Sequence, residues 1–497
     1  MRLSEFLGNE SFQHVKGEKL DLQVTAISDQ STHVQPGSVF FAYRGQTSDG
    51  HKYIESAIQN GAVALVVENL QSVPDSFLGP VYQVKHGKKS LSLAAAMFYG
   101  RPSAKLFCVG VTGTNGKTTV THMVEHILNH RGSLTGVMGT IDHHVGSHRW
   151  SAQLTTPGPV ELYQRLKDFV SLGAKAVSME ISSHALIQGR VEGLQLDVAV
   201  MTNLTRDHLD FHNSMEDYFE AKKILFAHVL KSSSKRRKSA ILNIDNVWCQ
   251  KLRSTLENVD VWTYGKDSDD IKYKIVEQTF EGSRVALSGK MGTHELQLSL
   301  PCEHNVQNAL AAFAVGLSAG YPAPTLLEDL ITYPGVKGRL EPIQNHRNLH
   351  VFVDYAHTDD ALKSVLQSLV AIKEQFQPKP RIITVFGCGG DRDKGKRPLM
   401  AQAALAFSDL VVVTSDNPRT EDPEKIISDI LSETSEHEKK TKVFVEVQRK
   451  EALKLAIAMA KKDDVILVAG KGHEEYQVLG HQKVSFSDQE ILRELLK

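Results

Sequence analysis

The sequence predicts an α/β protein of three domains, and three observations support this prediction. The chain has 497 residues, about three times the roughly 150 residues of an ordinary domain. Hydrophobic residues make up 41% and charged residues 23%, which suffices for sizeable cores and excludes disorder as the main state. Strand-like apolar runs alternate with helix-like runs, as in parallel sheets covered by helices on both faces.

The charge and the cysteines exclude several other classes of protein. The 57 basic and 58 acidic residues give a formal net charge of -1, so bulk electrostatics does not favour nucleic acid or an anionic membrane as a partner. The four cysteines are far apart, which favours a reducing cytoplasm over a disulfide or zinc framework. No signal segment and no run of ~20 apolar residues is visible. We therefore expect a soluble, cytoplasmic protein without a membrane span. A monomer is a separate expectation, which does not rest on these observations.

Residues 1–101 are predicted to form the first domain. The runs at 39–45 and 62–68 are strand candidates, and 89–100 is typical of a helix. Arg101-Pro102-Ser103 then interrupts the pattern, as a linker would.

Residues 102–335 are predicted to form a central domain with a parallel sheet. Strands are expected at 106–112, 174–182 and 197–204, and a helix at 117–130. Short alternating runs predict antiparallel hairpins at 273–299, and a helix follows at 305–319.

Residues 336–497 are predicted to form a Rossmann-like domain, because Tyr333-Pro334-Gly335 breaks the pattern and a second series of alternating elements follows. One continuous large sheet is the alternative, and the hairpin region and the linker argue against it. The strands are expected at 350–357, 381–390, 409–417, 442–447 and 464–472.

The strongest chemical signal is a glycine-rich segment between a predicted strand and a predicted helix. Its backbone N–H groups can face phosphate oxygens at the start of the helix. Lys117 can reach the β- and γ-phosphates, and the hydroxyl of Thr118 can bind magnesium. The spacing is shorter than in a Walker A motif, and an ordinary βα turn is the alternative interpretation. The predicted ATP-binding residues of this loop are Gly113, Thr114, Asn115, Gly116, Lys117, Thr118 and Thr119.

Two further side chains follow predicted strands of the central sheet. Glu180 ends one strand and His208 follows the next, and both are expected at the edge where open α/β sheets bind ligands. They could converge on a magnesium ion beside the phosphates, because magnesium needs few protein ligands. Solvated loop side chains are the alternative interpretation.

The phosphate loop, TGTNGKT, resembles that of the Mur ligase family, whose members are ATP-dependent amide-bond-forming enzymes of peptidoglycan synthesis. The resemblance covers nearly the whole chain. It implies that Glu180 and His208 hold Mg2+, and that Lys222 in the segment Tyr218-Phe219-Glu220-Ala221-Lys222 is carbamylated to N6-carboxylysine, a further metal ligand. Lys223 is adjacent, but the spacing from Tyr218 favours Lys222. An unmodified surface lysine is the alternative interpretation.

The resemblance also implies that the remaining ATP contacts come from later segments. Asn305 and Asn308 would lie beside the adenine, although Asn305 could instead be a helix N-cap. Arg339 would reach the phosphates and Asp354 the ribose, so closure of the second and third domains would complete the site. Asp359 departs from the proline usual in the family, which affects a turn rather than the chemistry.

A UDP-linked substrate would bind the first and second domains, according to the resemblance. The neighbours of Ser31 and the residue Leu154 depart from the family pattern. The implied contacts are Ser31, Thr155, Thr156, Ser182, Gln188 and Arg190.

A basic, glycine-rich region near the C-terminus could bind an amino acid. Guanidinium groups can bind a carboxylate through paired hydrogen bonds, and the carboxylates Asp416 and Glu474 can accept an ammonium group. The segment Asp416-Asn417-Pro418-Arg419 resembles a motif of family members that add meso-2,6-diaminopimelate, and a plain β-turn is the alternative. The implied contacts are Arg392, Asp416, Asn417, Pro418, Arg419, Gly470 and Glu474.

We therefore expect a ligase that joins meso-2,6-diaminopimelate to UDP-N-acetylmuramoyl-L-alanyl-D-glutamate through an acyl phosphate. Lys117, Lys222, His208 and Arg339 would be its catalytic residues. Three alternatives stay open: the same ligation with L-lysine, a folylpolyglutamate-type ligase, and a nucleotide-dependent switch without ligase activity.

Overall fold

A computed structural model describes residues 1–7, 11–18, 20–45, 48–208 and 211–497. The chain divides into two compact units. None of the helices in the described residues combines the length and the apolar character that crossing a bilayer requires. The α/β class is confirmed, whereas the predicted domain boundaries after residues 101 and 335 stay predictions. The first unit contains Met1–Tyr273, Ser288–Thr293 and Gln307–Asp329, and the second contains Lys274–Leu287, His294–Val306 and Leu330–Lys497.

The N-terminal part of the first unit is a five-stranded sheet with three helices. The strands are β1 (Gln13–Lys16), β2 (Ala26–Ser28), β3 (Ser38–Ala42), β4 (Ala62–Val67) and β5 (Val81–Gln83), and the helices are α1 (Leu3–Leu7), α2 (Ile54–Gln59) and α3 (Gly87–Phe98). Their order is β1-β5-β4-β3-β2, and only β1 is antiparallel to its neighbour. Val39 and Phe41 pack into one core and Phe40 and Ala42 into another. Both faces of β3 are therefore buried, which explains why its residues 39–42 are all apolar.

The central sheet positions the phosphate loop. Its strands are β6 (Phe107–Thr112), β7 (Thr135–Met138), β8 (Asp142–Val145), β9 (His148–Ser151), β10 (Ala176–Glu180), β11 (Val198–Met201), β12 (Ser239–Asn243), β13 (Asp260–Gly265) and β14 (Ile271–Gln278). The helices are α4 (Lys117–His130), α5 (Pro159–Ser171), α6 (Ser183–Ile187), α7 (Met215–Ile224) and α8 (Val247–Arg253). Strand β6 lies between β10 and β11 and is parallel to both. The carboxyl ends of these three strands therefore lie at one edge of the sheet, where ligands bind in such folds.

A hairpin and two helices follow this sheet in the chain. They are β15 (Ser283–Gly289), β16 (His294–Leu298), α9 (Glu303–Ser318) and α10 (Ala323–Ile331). Val285 lies opposite Leu296 in the antiparallel pair β15–β16, which confirms one of the antiparallel hairpins predicted at 273–299. Strand β14, which overlaps this range, pairs in parallel with β13.

The second unit contains a six-stranded sheet with helices on both faces. The strands are β17 (Glu341–Pro342), β18 (His350–Asp354), β19 (Ile382–Phe386), β20 (Leu410–Val413), β21 (Val443–Val445) and β22 (Val465–Ala469), followed by the hairpin β23 (Tyr476–Leu479) and β24 (Gln482–Ser485). The helices are α11 (Asp359–Lys373), α12 (Lys396–Phe407), α13 (Pro423–Ile430), α14 (Glu436–Thr441), α15 (Arg449–Met459) and α16 (Asp488–Leu495). The order is β17-β18-β22-β19-β20-β21, with all but β17 parallel. Phe352 packs into one core and Val351 and Val353 into another, so the predicted doubly wound sheet is confirmed.

Candidate active site

The phosphate loop connects β6 to α4 and is fixed by its neighbours. Gly116 has a φ of 85°, and a Cβ there would collide with Oδ1 of Asn308, so this position requires glycine. The N–H of Asn115 donates to Oδ1 of Asn203 at 2.9 Å. Lys117 Nζ donates to the carbonyls of Gly113 and Thr114 at 2.9 and 2.8 Å. The lysine therefore lies across the loop, where a phosphate could replace these carbonyls as its acceptor.

Glu180 places a buried carboxylate beside this loop. Its side chain is 1% exposed and accepts hydrogen bonds from Thr118 Oγ1 at 2.9 Å, from Thr140 N at 2.8 Å and from Thr140 Oγ1 at 3.1 Å. Two predicted metal ligands, Thr118 and Glu180, are thus in direct contact. This oxygen-rich set of donors suits magnesium, which prefers oxygen ligands.

Lys222 is the buried member of the two adjacent lysines. It is 1% exposed, whereas the side chain of Lys223 is 27% exposed and pairs with Glu220 at 3.1 Å. Lys222 Nζ donates to the carbonyl of Gly113 at 2.9 Å and lies 4.6 Å from the ring centroid of Tyr218. Burial, and then repulsion from Lys117, lowers the pKa of Lys222 well below its usual value, which favours the neutral amine.

His208 lies near the same aromatic ring. It follows β11 with a φ of 53°, and its ring centroid is 6.0 Å from that of Tyr218 and 5.2 Å from that of His184. The described residues contain no group of three or more His, Cys, Asp or Glu side chains arranged to hold a metal. The predicted magnesium set of Thr118, Glu180, His208 and carbamylated Lys222 stays a prediction.

Several of the residues predicted to bind the UDP-linked substrate, called the acceptor below, are joined by hydrogen bonds to one another and to Glu180 or its neighbour Thr140. Thr156 Oγ1 donates to the carbonyl of Glu180 at 2.9 Å and accepts from the N–H of Ser182 at 3.0 Å. Arg190 Nη1 donates to the carbonyl of Thr156 at 2.8 Å. Thr155 is joined through Oγ1 to Oγ1 of Thr140 at 3.1 Å, next to the Glu180 carboxylate.

Ser31 lies in the N-terminal sheet region, in a short 3-10 helix at Ser31–His33. Its carbonyl accepts from Asn60 Nδ2 at 2.9 Å, and the residue is buried. Its predicted contact with a UDP group stays a prediction.

Three of the predicted ATP contacts lie in the second unit. Asp354 accepts from the N–H groups of Leu340 and Ala356 at 2.7 and 2.8 Å, and burial raises the pKa of this carboxyl against the opposing effect of Arg339. The Arg339 guanidinium carbon lies 4.9 Å from the ring centroid of Tyr355. Helix α9 begins at Glu303 and Asn305 Nδ2 donates to the carbonyl of Pro301 at 2.9 Å, so the interpretation of Asn305 as an N-cap is wrong.

The predicted amino-acid contacts meet at the carboxyl ends of β20 and β22. Asn417 Nδ2 donates to Glu474 Oε2 at 2.9 Å, and Asn417 Oδ1 accepts from the N–H of Val478 at 2.9 Å. Gly470 has a φ of 109°, and a Cβ there would lie 2.7 Å from Oδ2 of Asp416. The structure therefore brings Asp416, Asn417, Gly470 and Glu474 together.

Arg419 and Arg392 lie in the loops beside these residues. Arg419 has a φ of 50° and donates through Nη1 to the carbonyl of Gly390 at 2.8 Å, while Arg392 is exposed. Pro418 is buried, and its carbonyl lies against Gly390. Arg419 is thus hydrogen-bonded to the glycine-rich loop that carries Arg392.

Three residues beside the predicted site residues, two in the second unit and one in the first, were not identified from the sequence. The buried Lys471 Nζ contacts Glu474 Oε2 at 3.2 Å, and it could have been suspected because it follows Gly470 directly. The buried Arg397 binds Glu421 at 2.8 Å, which accepts from the N–H of Asp391 and so fixes the loop before Arg392. Thr140, which donates two hydrogen bonds to Glu180 in the first unit, lies in no motif that would have indicated its position.

Family models match three parts of the chain. The "Mur ligase family, catalytic domain" model matches residues 23–99, the "Mur ligase middle domain" model residues 111–316, and the "Mur ligase, glutamate ligase domain" model residues 338–472.

Individual proteins match over almost the full length. A relative from Geobacillus thermodenitrificans is 41% identical over 95% of both chains, and one from Geobacter metallireducens is 42% identical over 95% of this chain and 94% of its own. Both are named UDP-N-acetylmuramoyl-L-alanyl-D-glutamate--2,6-diaminopimelate ligase. A solved structure described by the same name has a TM-score of 0.69 and 30% identity, and the match covers 96% of this chain and 97% of that one.

Proposed function

Because the chain belongs to the Mur ligase family, we propose that it is an ATP-dependent ligase that adds meso-2,6-diaminopimelate to UDP-N-acetylmuramoyl-L-alanyl-D-glutamate. The observation that carries this proposal is similarity at 41% identity over 95% of both chains to a relative named for that reaction. The phosphate loop at residues 113–119 suits the first half of this reaction. The group formed by Asp416, Asn417, Gly470 and Glu474, called the amino-acid pocket below, suits the second half. The L-lysine alternative is not favoured, because the relatives are named for diaminopimelate.

The first half-reaction would activate the acceptor. A carboxylate oxygen of its D-glutamate attacks the γ-phosphorus of ATP, the bond from that phosphorus to the bridging oxygen breaks, and ADP leaves. Lys117 and Arg339 would offset the negative charge that develops on the phosphate oxygens. The contact of Lys117 with the loop carbonyls supports this role, since it already places the ammonium group along the loop.

Magnesium fits the oxygen-rich environment around Thr118 and Glu180. We propose that these residues hold the ion together with His208 and a carbamylated Lys222. When bound, the ion would neutralise phosphate charge. For the modification, the neutral Lys222 amine attacks the carbon of carbon dioxide and releases a proton, which leaves an anionic carbamate. The buried position and lowered pKa of Lys222 support this step.

The second half-reaction would form the amide bond. A neutral amine of diaminopimelate attacks the acyl carbon, phosphate leaves, and the nitrogen loses a proton. Arg419 and Arg392 would bind the carboxylate that lysine lacks, and Asp416 and Glu474 would bind the distal ammonium group. Positioning of the two reactants, without a covalent enzyme intermediate, would then provide much of the rate.

Phosphate release by the purified protein tests the proposal. We expect release that requires the UDP-linked dipeptide, ATP and diaminopimelate together, with a tripeptide product identified by mass. Equal or faster turnover with L-lysine would contradict the assigned amino acid. ATP binding without substrate-stimulated phosphate release, unchanged in Lys222→Ala, would instead indicate a nucleotide switch.

We also propose that the protein acts as a monomer in the cytoplasm, where ATP and nucleotide-linked sugars are available. All four cysteines are free and buried, which suits a reducing compartment. Light scattering of the purified protein would measure its oligomeric state.

A further inference from the structure

Two cationic side chains meet on a single neutral oxygen in the first unit. Lys88 Nζ donates to Oε1 of Gln188 at 3.1 Å. Arg190 donates to the same oxygen through Nε at 3.0 Å and through Nη2 at 2.8 Å. Lys88 comes from the first turn of α3, whereas Gln188 and Arg190 follow α6, so residues 100 positions apart form this cluster.

No carboxylate of the described residues forms an ion pair with either cation. The other hydrogen bond of Arg190 goes to the carbonyl of Thr156, again a neutral oxygen. Asp29 is the nearby acid, but its Oδ2 accepts the Tyr43 hydroxyl at 2.5 Å. Lys88 Nζ lies 5.7 Å from the centroid of the Tyr43 ring.

Such an arrangement is electrostatically unfavourable until an anion binds. Burial lowers the pKa of both Lys88 and Arg190, and Arg190 lowers the pKa of Lys88 further. A negatively charged oxygen at this position could accept hydrogen bonds from both groups and remove the repulsion. Thr156 connects the cluster to the strand end that carries Glu180, so the bound anion would belong to a ligand that extends toward the phosphate loop.

We propose that Lys88 is an additional substrate-binding residue, which together with Arg190 binds an anionic group of the UDP-linked acceptor. This inference rests on the proposed function and extends it to a residue of the N-terminal sheet region. Two parts of the acceptor carry suitable oxygens, namely the diphosphate and the D-glutamate carboxylate that does not react. Lys88 does not act on the reacting atoms, so its replacement should affect binding rather than turnover.

Calorimetry with three ligands tests the proposal and distinguishes the two sources of charge. The ligands are UDP, UDP-N-acetylmuramoyl-L-alanine and UDP-N-acetylmuramoyl-L-alanyl-D-glutamate. We expect Lys88→Met to bind the complete acceptor about 10- to 100-fold more weakly, the loss of one charged hydrogen bond. Weaker binding of all three ligands would assign the diphosphate, and a loss confined to the complete acceptor would assign the non-reacting glutamate carboxylate.

Steady-state kinetics and control variants complete the test. Lys88→Met should raise the KM for the acceptor by a similar factor, with kcat and the KM for ATP unchanged, and Lys88→Arg should restore most of the affinity. Lys85→Met, at an exposed lysine just before α3, is the matched control. Unchanged affinity of Lys88→Met for all three ligands, or an equal loss in Lys85→Met, would overturn the inference. Failure of the wild-type protein to bind the complete acceptor would instead overturn the proposed function itself.

Discussion

The region of the first unit that is proposed to bind the UDP-linked substrate differs from the amino-acid pocket of the second unit in how partly or fully buried cations are compensated. In the first, Lys88 and Arg190 both donate to the side-chain oxygen of Gln188, a neutral acceptor. In the second, Lys471 pairs with Glu474 at 3.2 Å, and Arg449 pairs with Asp488 at 2.8 Å.

This difference indicates two ways of recognising charged ligands. Cations on neutral oxygens favour the entry of anions such as a triphosphate or a carboxylate. Where the buried charges are already paired, one additional charge on a ligand contributes less to the binding free energy. The affinity then depends more on the shape of the ligand and the directions of its hydrogen bonds. We therefore expect the first region to bind by charge and the second to select by shape and hydrogen-bond direction.

The largest effect is expected at the phosphate loop. Lys117→Ala should lower kcat by about 10³-fold, because it removes a cation that offsets charge developing on the phosphate oxygens. Phosphate release with both substrates present measures this. Lys223→Ala, on the outer face of α7, should retain wild-type activity. Activity that survives the replacement of Lys117 would remove the basis of the proposed mechanism.

Removal of the buried ion pair between Arg449 and Asp488 in the second unit should have a large effect on stability. Arg449 and Asp488 are both 0% exposed, and Arg449 also donates to the carbonyl of Ala469 just before Gly470. Arg449→Met should lower the free energy of unfolding by about 3–5 kcal/mol, because it leaves a buried charge uncompensated. Urea denaturation measures the change.

The matched control is Arg493→Met, which removes a 2.8 Å ion pair with Glu341 whose arginine side chain is 54% exposed. It should cost about 0–1 kcal/mol. Similar losses in the two variants would contradict the view that burial makes the pairing in this unit important.

A smaller effect should separate geometry from charge in the amino-acid pocket. Arg419→Lys keeps the charge but removes the planar guanidinium that contacts Gly390. We expect kcat/KM for diaminopimelate to fall about 10- to 100-fold, with little change in the KM for ATP. An unchanged preference for diaminopimelate over L-lysine would show that charge alone suffices there.

The smallest effect concerns an ion-paired histidine of the first unit. Although burial lowers the pKa of His144, the hydrogen bonds that its ring donates to Asp142 at 2.6 Å and to Glu125 at 3.0 Å outweigh burial and raise this pKa to about 9. Because the folded-state value is above the ordinary 6.5, this stabilisation is complete below that pH and is lost as the pH rises through about 9.

Thermal unfolding of His144→Gln across this range measures the effect. The variant should be less stable than wild type by roughly 1 kcal/mol near neutral pH, and the difference should shrink as the pH rises toward about 9 and be largely lost above it. A stability difference that stays constant with pH would show that His144 stabilises the fold by packing rather than by its charge. The ion pairs of this histidine would then say nothing about how charges are compensated in the first unit.

The sequence by itself determined the α/β class, the position of the phosphate loop and the resemblance to a family of ligases. These features are local: apolar runs define strands, and the glycines around Lys117 define a loop at the start of a helix. The segment ending at Arg419 likewise indicated the amino acid, because its residues are contiguous.

Only the tertiary structure decided which charged groups meet. Lys222 and Lys223 are equivalent as neighbours in sequence, but packing of α7 buries one and exposes the other. Lys88 reaches Gln188 and Arg190 across 100 residues, and Arg449 reaches Asp488 across 39. Such pairings depend on how the sheets and helices are assembled, and the free energy of a buried charge depends on those partners rather than on the residue that carries it.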